Sequence, residues 1–151
     1  MGVEIKAEPV LLPLGKAEVL KAGSEIQIWA LGPWCADAAK LAEQLEAAHP
    51  GVKVGVVNAR FAKPLDTELL ASQAKTAKLI VTMEEHTIHG GFGGAVLEAL
   101  AELGEAKPLV RIGWPDKFIH HGSSVAGLRA DNGLSPEAIF AKVDARFKSL
   151  A

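Results

Sequence analysis

Tyrosine is absent from this sequence, cysteine occurs once, and aromatic residues fill only 5% of its 151 positions. The lone Cys35 has no second cysteine to pair with, which excludes an internal disulfide and fits a reducing, cytoplasmic setting. With so few rings, the core has to be aliphatic and rich in alanine. Basic residues form no run and the net charge is −2. That balance removes the electrostatic footing for nucleic acid or for an anionic membrane surface. No stretch stays apolar for the roughly 20 residues that a membrane span requires. Glu4, Lys6 and Glu8 interrupt the start of the chain, so no signal peptide is expected there. Lys6 also stands where an N-myristoylation signal needs Ser or Thr.

Several catalytic signatures are missing as well. No Gly-Lys-Ser or Gly-Lys-Thr phosphate loop occurs, no Gly-x-Ser-x-Gly nucleophile turn, and no pair of histidines four apart with a glutamate after the first. What is present is a composition that is 49% hydrophobic and 23% charged, enough for one globular domain with its own core.

Residues 1–14, with Pro9 and Pro13 and no helical period, read as an extended lead-in, and residues 15–151 as the domain. Ala17 to Lys21 reads as a short strand ended by Gly23-Ser24. Ile26 to Leu31 is a strand, and Cys35 or Ala36 to His49 a helix with Ala38, Leu41, Ala42 and Leu45 on one face. Pro50-Gly51 stops that helix. Val52 to Val57 is a β-branched strand. Asp66 N-caps a helix through Ala74. Lys78 to Met83 is a strand, Gly93 or Gly94 to Leu103 a helix, and Leu109 to Ile112 the last strand. Ser124 to Arg129 makes a short helix, and Ser135-Pro136-Glu137 opens the final one, which runs to Leu150. Strands alternating with amphipathic helices predict a three-layer α/β/α fold.

The stretch from Val81 to Gly94 draws most interest. It passes from a buried-type strand through Glu84, Glu85, His86 and His89 into Gly90, Gly91, Gly93 and Gly94, and then into a helix. Backbone N–H groups at a helix start favour an anion, whereas glycine also permits tight turns and close helix–sheet packing because it lacks Cβ. Both readings stay open. A zinc site needs three converging ligands, and with the helical zinc motif absent the histidines are expected to face solvent or an interface. Arg60 and Lys63, after a predicted strand, would either bind an anion or pair with a carboxylate and hold their loop. Cys35, near a helix start, reads as structural.

Four segments taken in order carry a family resemblance: Gly15 to Gly23, Val57-Asn58-Ala59-Arg60-Phe61-Ala62-Lys63-Pro64-Leu65-Asp66, Val81 to Gly94, and Gly113-Trp114-Pro115-Asp116-Lys117-Phe118-Ile119-His120-His121-Gly122. Together they resemble the C-terminal domain of the 1-deoxy-D-xylulose-5-phosphate synthases, which belong to the transketolase family of thiamine diphosphate enzymes. His86 departs from the asparagine more frequent there.

The resemblance implies a five-stranded, mostly parallel sheet with one antiparallel strand. It implies a parent reaction that joins pyruvate to glyceraldehyde 3-phosphate with loss of CO2 and supplies isoprenoid, thiamine and pyridoxal synthesis. It also implies a homodimer that uses thiamine diphosphate and magnesium. The family's Gly-Asp-Gly cofactor motif does not occur here. The cofactor and the catalytic residues are expected in N-terminal and central thiamine-binding domains. No catalytic, cofactor-binding or metal residue therefore carries over. The chain alone is expected to be inactive and to pack on those domains through Arg60, Lys63, Glu84, Glu85, His86, Gly90, Gly91 and Gly93. The alternatives are a module for a small anion or regulatory metabolite, and the C-terminal subunit of a split transketolase or 2-oxo acid dehydrogenase.

Overall fold

A computed structural model describes residues 8, 10–122 and 124–150. Most of the predicted lead-in, residues 1–7 and 9, lies outside that range. Ten elements follow in order: β1 (Glu18–Lys21), β2 (Ile26–Ala30), α1 (Trp34–Ala48), β3 (Val54–Asn58), α2 (Thr67–Ala74), β4 (Leu79–Thr87), α3 (Phe92–Glu102), β5 (Leu109–Trp114), α4 (Val125–Asp131) and α5 (Pro136–Lys148). The five strands form one sheet in the order β1-β3-β2-β4-β5. β1 runs antiparallel to β3 and the remaining pairs are parallel. This is the predicted fold class and element order.

The two-residue period of the strands sorts their side chains onto two apolar layers. Ile26, Ile28, Val54, Val56, Val81 and Met83 face α1 and α5, where Trp34, Leu41, Leu45, Ile139 and Val143 are buried. Trp29, Val57 and Ile80 face α2 and α3, where Leu70, Phe92, Val96 and Leu100 are buried. Trp29 sits in this layer and donates its indole N–H to Gln73 Oε1 at 2.8 Å. The helix starts follow the chemistry read from the sequence. Asp66 accepts from Leu69 N, and Ser135 accepts from Ala138 N ahead of Pro136.

Two neighbouring strands run past their expected carboxyl ends by two residues or more. β4 does not end at Met83 but continues through Glu84, Glu85 and His86 to Thr87. β5 likewise reaches Trp114, two residues past Ile112. The two overruns support each other, because Thr87 pairs with Trp114 after a register shift and Ile88 N donates to Trp114 O at 2.9 Å. A local polar run is thus held as strand by its neighbour.

Away from the strand carboxyl ends, α1 and α5 are tied by a polar contact. His49, which caps α1, lies 2.7 Å from Asp144 on α5, and its ring meets Phe147 edge-on at 5.1 Å. The hydrogen bond from Lys148 holds the Asp144 carboxyl below its ordinary value, and His49 adds to this. A carboxyl depressed in the folded state contributes stability above its unfolded value of about 4, and that stability is lost as pH falls through the folded value. Asp144→Asn should therefore be less stable than the parent at pH 7, with the gap closing below about pH 4. Urea unfolding across that range measures this, and a gap independent of pH would contradict it.

Candidate docking edge at the carboxyl end of the sheet

Because β2, β3, β4 and β5 are parallel, their carboxyl ends share one edge, the usual place for ligand-facing loops in such folds. After β3, Asn58 Oδ1 accepts from Arg60 N at 3.1 Å, and Arg60 itself has a positive φ of 58°. Its guanidinium turns to Glu18 on β1, with Nη2 2.8 Å from Oε2. Of the two readings of Arg60, carboxylate pairing is the one observed. The loop ends at Asp66, buried, which caps α2 and also accepts from Ala17 N at 3.0 Å. One carboxylate thereby fastens the approach to β1 onto the start of α2.

Within β4 the decisive residue is Glu84. Its side chain is fully buried, and its carboxylate receives Phe92 N at 2.5 Å and Gly93 N at 2.8 Å. These are first-turn N–H groups of α3, which a helix cannot satisfy internally. The next two, Gly94 N and Ala95 N, donate to Gly91 O. A strand carboxylate therefore occupies the place an external anion would take. This corrects the anion reading of the glycine loop: the donors are present, and the protein uses them itself.

The glycines follow from that geometry. A Cβ on Gly91 would lie 2.1 Å from Glu84 Oε2 and 2.3 Å from Thr87 O, and one on Gly93 would lie 2.5 Å from Thr82 Oγ1. Gly90 turns the chain with φ +72°. Close packing, the second reading, explains Gly91 and Gly93.

The neighbouring Glu85 points the other way along the strand and is 40% exposed. It meets Arg129 Nη2 at 2.7 Å, while Trp114 Nε1 donates to it at 3.3 Å. Arg129 also binds Asp37 at 3.1 Å and lies 3.9 Å over the Trp34 ring. Sequence reasoning missed this cluster. Asp37 and Arg129 are 92 positions apart, and nothing local marks an arginine in a short helix as a hub.

Lys63, Glu84, His86, Gly90 and Gly91 come together around one open cleft of about 570 Å³, with Leu31, Leu65, Phe92 and Ala95 as its apolar part. Arg60, Glu85 and Gly93 are not in it. Glu84 contributes no free surface, so as a contact residue it is replaced by what it positions. His86 is exposed, and its Nδ1 lies 3.2 Å from Thr87 O. His89 stands 3.9 Å from Asp116. Among the described residues no three His, Cys, Asp or Glu side chains converge as a metal would need. Burial raises the Cys35 thiol above its ordinary value, the opposite of what activates a nucleophile.

The comparisons with known proteins agree with this geometry. The family model described as "Transketolase, C-terminal domain" matches residues 15–139. The 1-deoxy-D-xylulose-5-phosphate synthase of Acidobacterium capsulatum is 47% identical over 94% of this chain, and that of Heliobacterium modesticaldum 45% over 89%. The chain spans only about a fifth of those relatives, 22% and 20%. A solved structure titled "Split gene transketolase, inactive beta4 tetramer" superposes with a TM-score of 0.80 at 36% identity, over 92% of this chain and 44% of that one.

Two substitutions test the internal cap. Glu84→Ala leaves two buried N–H donors without an acceptor and should lower unfolding free energy by about 2 kcal/mol. Gly91→Ala, which forces Glu84 aside, should cost roughly 1–3 kcal/mol. Guanidinium unfolding measures both; losses under about 0.5 kcal/mol, the range of ordinary surface changes, would contradict the cap.

Proposed function

The chain belongs to the family of transketolase C-terminal domains, and from that premise we propose that it serves as the C-terminal domain of a 1-deoxy-D-xylulose-5-phosphate synthase. The parent reaction joins pyruvate to glyceraldehyde 3-phosphate with release of CO2. The observation that carries this reading is 43–47% identity to such synthases over nine-tenths or so of the chain. In this reading the chain holds together an assembly whose chemistry takes place elsewhere. Residues 15–151 are the working domain, the full protein is a cytoplasmic homodimer, and N-terminal and central domains bind the cofactor.

Thiamine diphosphate and magnesium find no fitting site among the described residues. The helix start best placed for a diphosphate is filled by Glu84, and no group of carboxylates and histidines offers a metal a ligand set. Steps of the reaction are therefore not assigned to this chain. Its own residues would dock. Exposed apolar side chains favour that role: Leu11 and Leu14 precede β1, and Phe118 in the loop after β5 is 98% exposed. Gly15, next to them, packs on Pro64 beside the cleft, which puts the approach to β1 and the Arg60 loop on one face.

A second reading is the C-terminal chain of a split transketolase, favoured by the structural likeness to a protein described as a split-gene transketolase. The higher identities to the synthases favour the first. With pyruvate, glyceraldehyde 3-phosphate, thiamine diphosphate and magnesium, the chain alone should form no product. A chimera that carries it in place of the corresponding segment of the Acidobacterium capsulatum enzyme should retain activity within about tenfold of the parent, or ~1.4 kcal/mol in the barrier. Product from the chain alone, or a folded chimera without activity, would overturn the proposal.

A further inference from the structure

The open cleft at the carboxyl end of the sheet has two walls. One is the loop that leads into α2, with Ala62, Lys63 and Leu65, and the other is α3. Ala95, Glu98, Ala99 and Glu102 of α3 all line it. Their spacing of three and four residues puts them on a single helix face. Leu31, Leu65 and Ala95 keep part of their surface exposed, so the cleft offers apolar area that the chain itself does not cover.

Its two walls also carry charge of opposite sign. Around the cleft, neighbouring charges are matched within the chain: Arg60 with Glu18, Lys16 with Glu68, Arg129 with Asp37 and Glu85. Lys63 on the loop wall and Glu98 and Glu102 on the helix wall are exposed, and none of the three has an ion pair among the described residues. Glu84 adds no free charge, because its carboxylate is taken by the start of α3. An enclosed pocket buries most of a small ligand's surface, whereas an open cleft suits an element of another protein. Amphipathic helices lie in such grooves, anchored by side chains three or four positions apart. Glu98 and Glu102 are four positions apart on α3, one helical turn, the same step as two side chains on one flank of such a helix.

We propose that this cleft receives an amphipathic helix from the thiamine-binding part of the same enzyme. The apolar ridge of that helix lies on Leu31, Leu65 and Ala95. Lysine or arginine on one flank meets Glu98 and Glu102, and aspartate or glutamate on the other flank meets Lys63. Charge of both signs sets the direction of the helix. Turned end for end with its ridge still down, it would exchange flanks and bring like charges together. The inference rests on the proposed function and specifies the partner of its docking cleft.

The test places the photo-cross-linking residue p-benzoyl-L-phenylalanine at Ala62, exposed on the loop wall, in the chimera with the Acidobacterium capsulatum enzyme. After illumination, mass spectrometry should find the adduct outside residues 1–151, in a segment with helical apolar spacing, a base on one flank and an acid on the other. Glu98→Lys combined with Glu102→Lys should cut the yield of that adduct by roughly tenfold. In the chain alone the same reversal should not lower the urea midpoint, since neither carboxylate has an ion pair there, which separates lost docking from lost folding. A folded chimera without activity would remove the proposed function and this inference with it. From an active chimera, three results would overturn the inference alone. These are no adduct or adducts confined to residues 1–151 within one copy or between two, an adduct in a segment without that pattern, and a yield that the reversal leaves unchanged.

Discussion

The carboxylate of Glu84 on the first turn of α3 is the contact around which the carboxyl edge of the sheet is arranged. A strand that leads through glycines into a helix ordinarily leaves helix N–H groups for a ligand. Here Glu84 is supplied from the strand itself and takes the Phe92 and Gly93 donors. The rest follows from that one choice. β4 must extend to bring the carboxylate under the helix, Gly91 must lack Cβ to let it pass, and Gly113 on β5 must do the same beside Glu84 Cγ. Once the cap is internal, the edge offers its shape and apolar surface, and the Phe92 and Gly93 N–H groups are already taken. That suits a domain that meets other protein.

Alternation along β4 gives its two acids opposite tasks. Glu84 goes inward to α3, and Glu85 goes outward to Arg129. Arg129 in turn joins α4 to α1 through Asp37 and Trp34. α4 buries no residue completely, so a charged and stacked arginine does for it what apolar packing does for α1 and α5.

Much of this was legible beforehand, for physical reasons that differ by element. Strands β2 and β3 announce themselves through β-branched alternation, and α1 through an unbroken apolar face. Asp66 and Ser135 are cap residues whose chemistry is local, so spacing alone located the starts of α2 and α5. The overrun of β4 was not legible, because Glu84-Glu85-His86 is polar and only pairing with β5 keeps it extended. Nor was the fate of Glu84, since a carboxylate followed by glycines looks the same whether it faces solvent or a helix start. The role of Arg129 depends on contacts across 92 positions with Asp37 and 44 with Glu85. Lys63, His86, Gly90 and Gly91 line one cleft, because a parallel sheet gathers its strand ends whatever the loops contain.

Hydrogen exchange at two amides tests the central claim most directly. If Glu84 caps α3 from within, the Phe92 and Gly93 amides exchange only through opening of the β4–α3 unit, with protection close to that of the core amides of β4. Phosphate should then leave their rates unchanged. Rapid exchange at both positions, slowed by added phosphate, would show a helix start open to external anions and contradict the account.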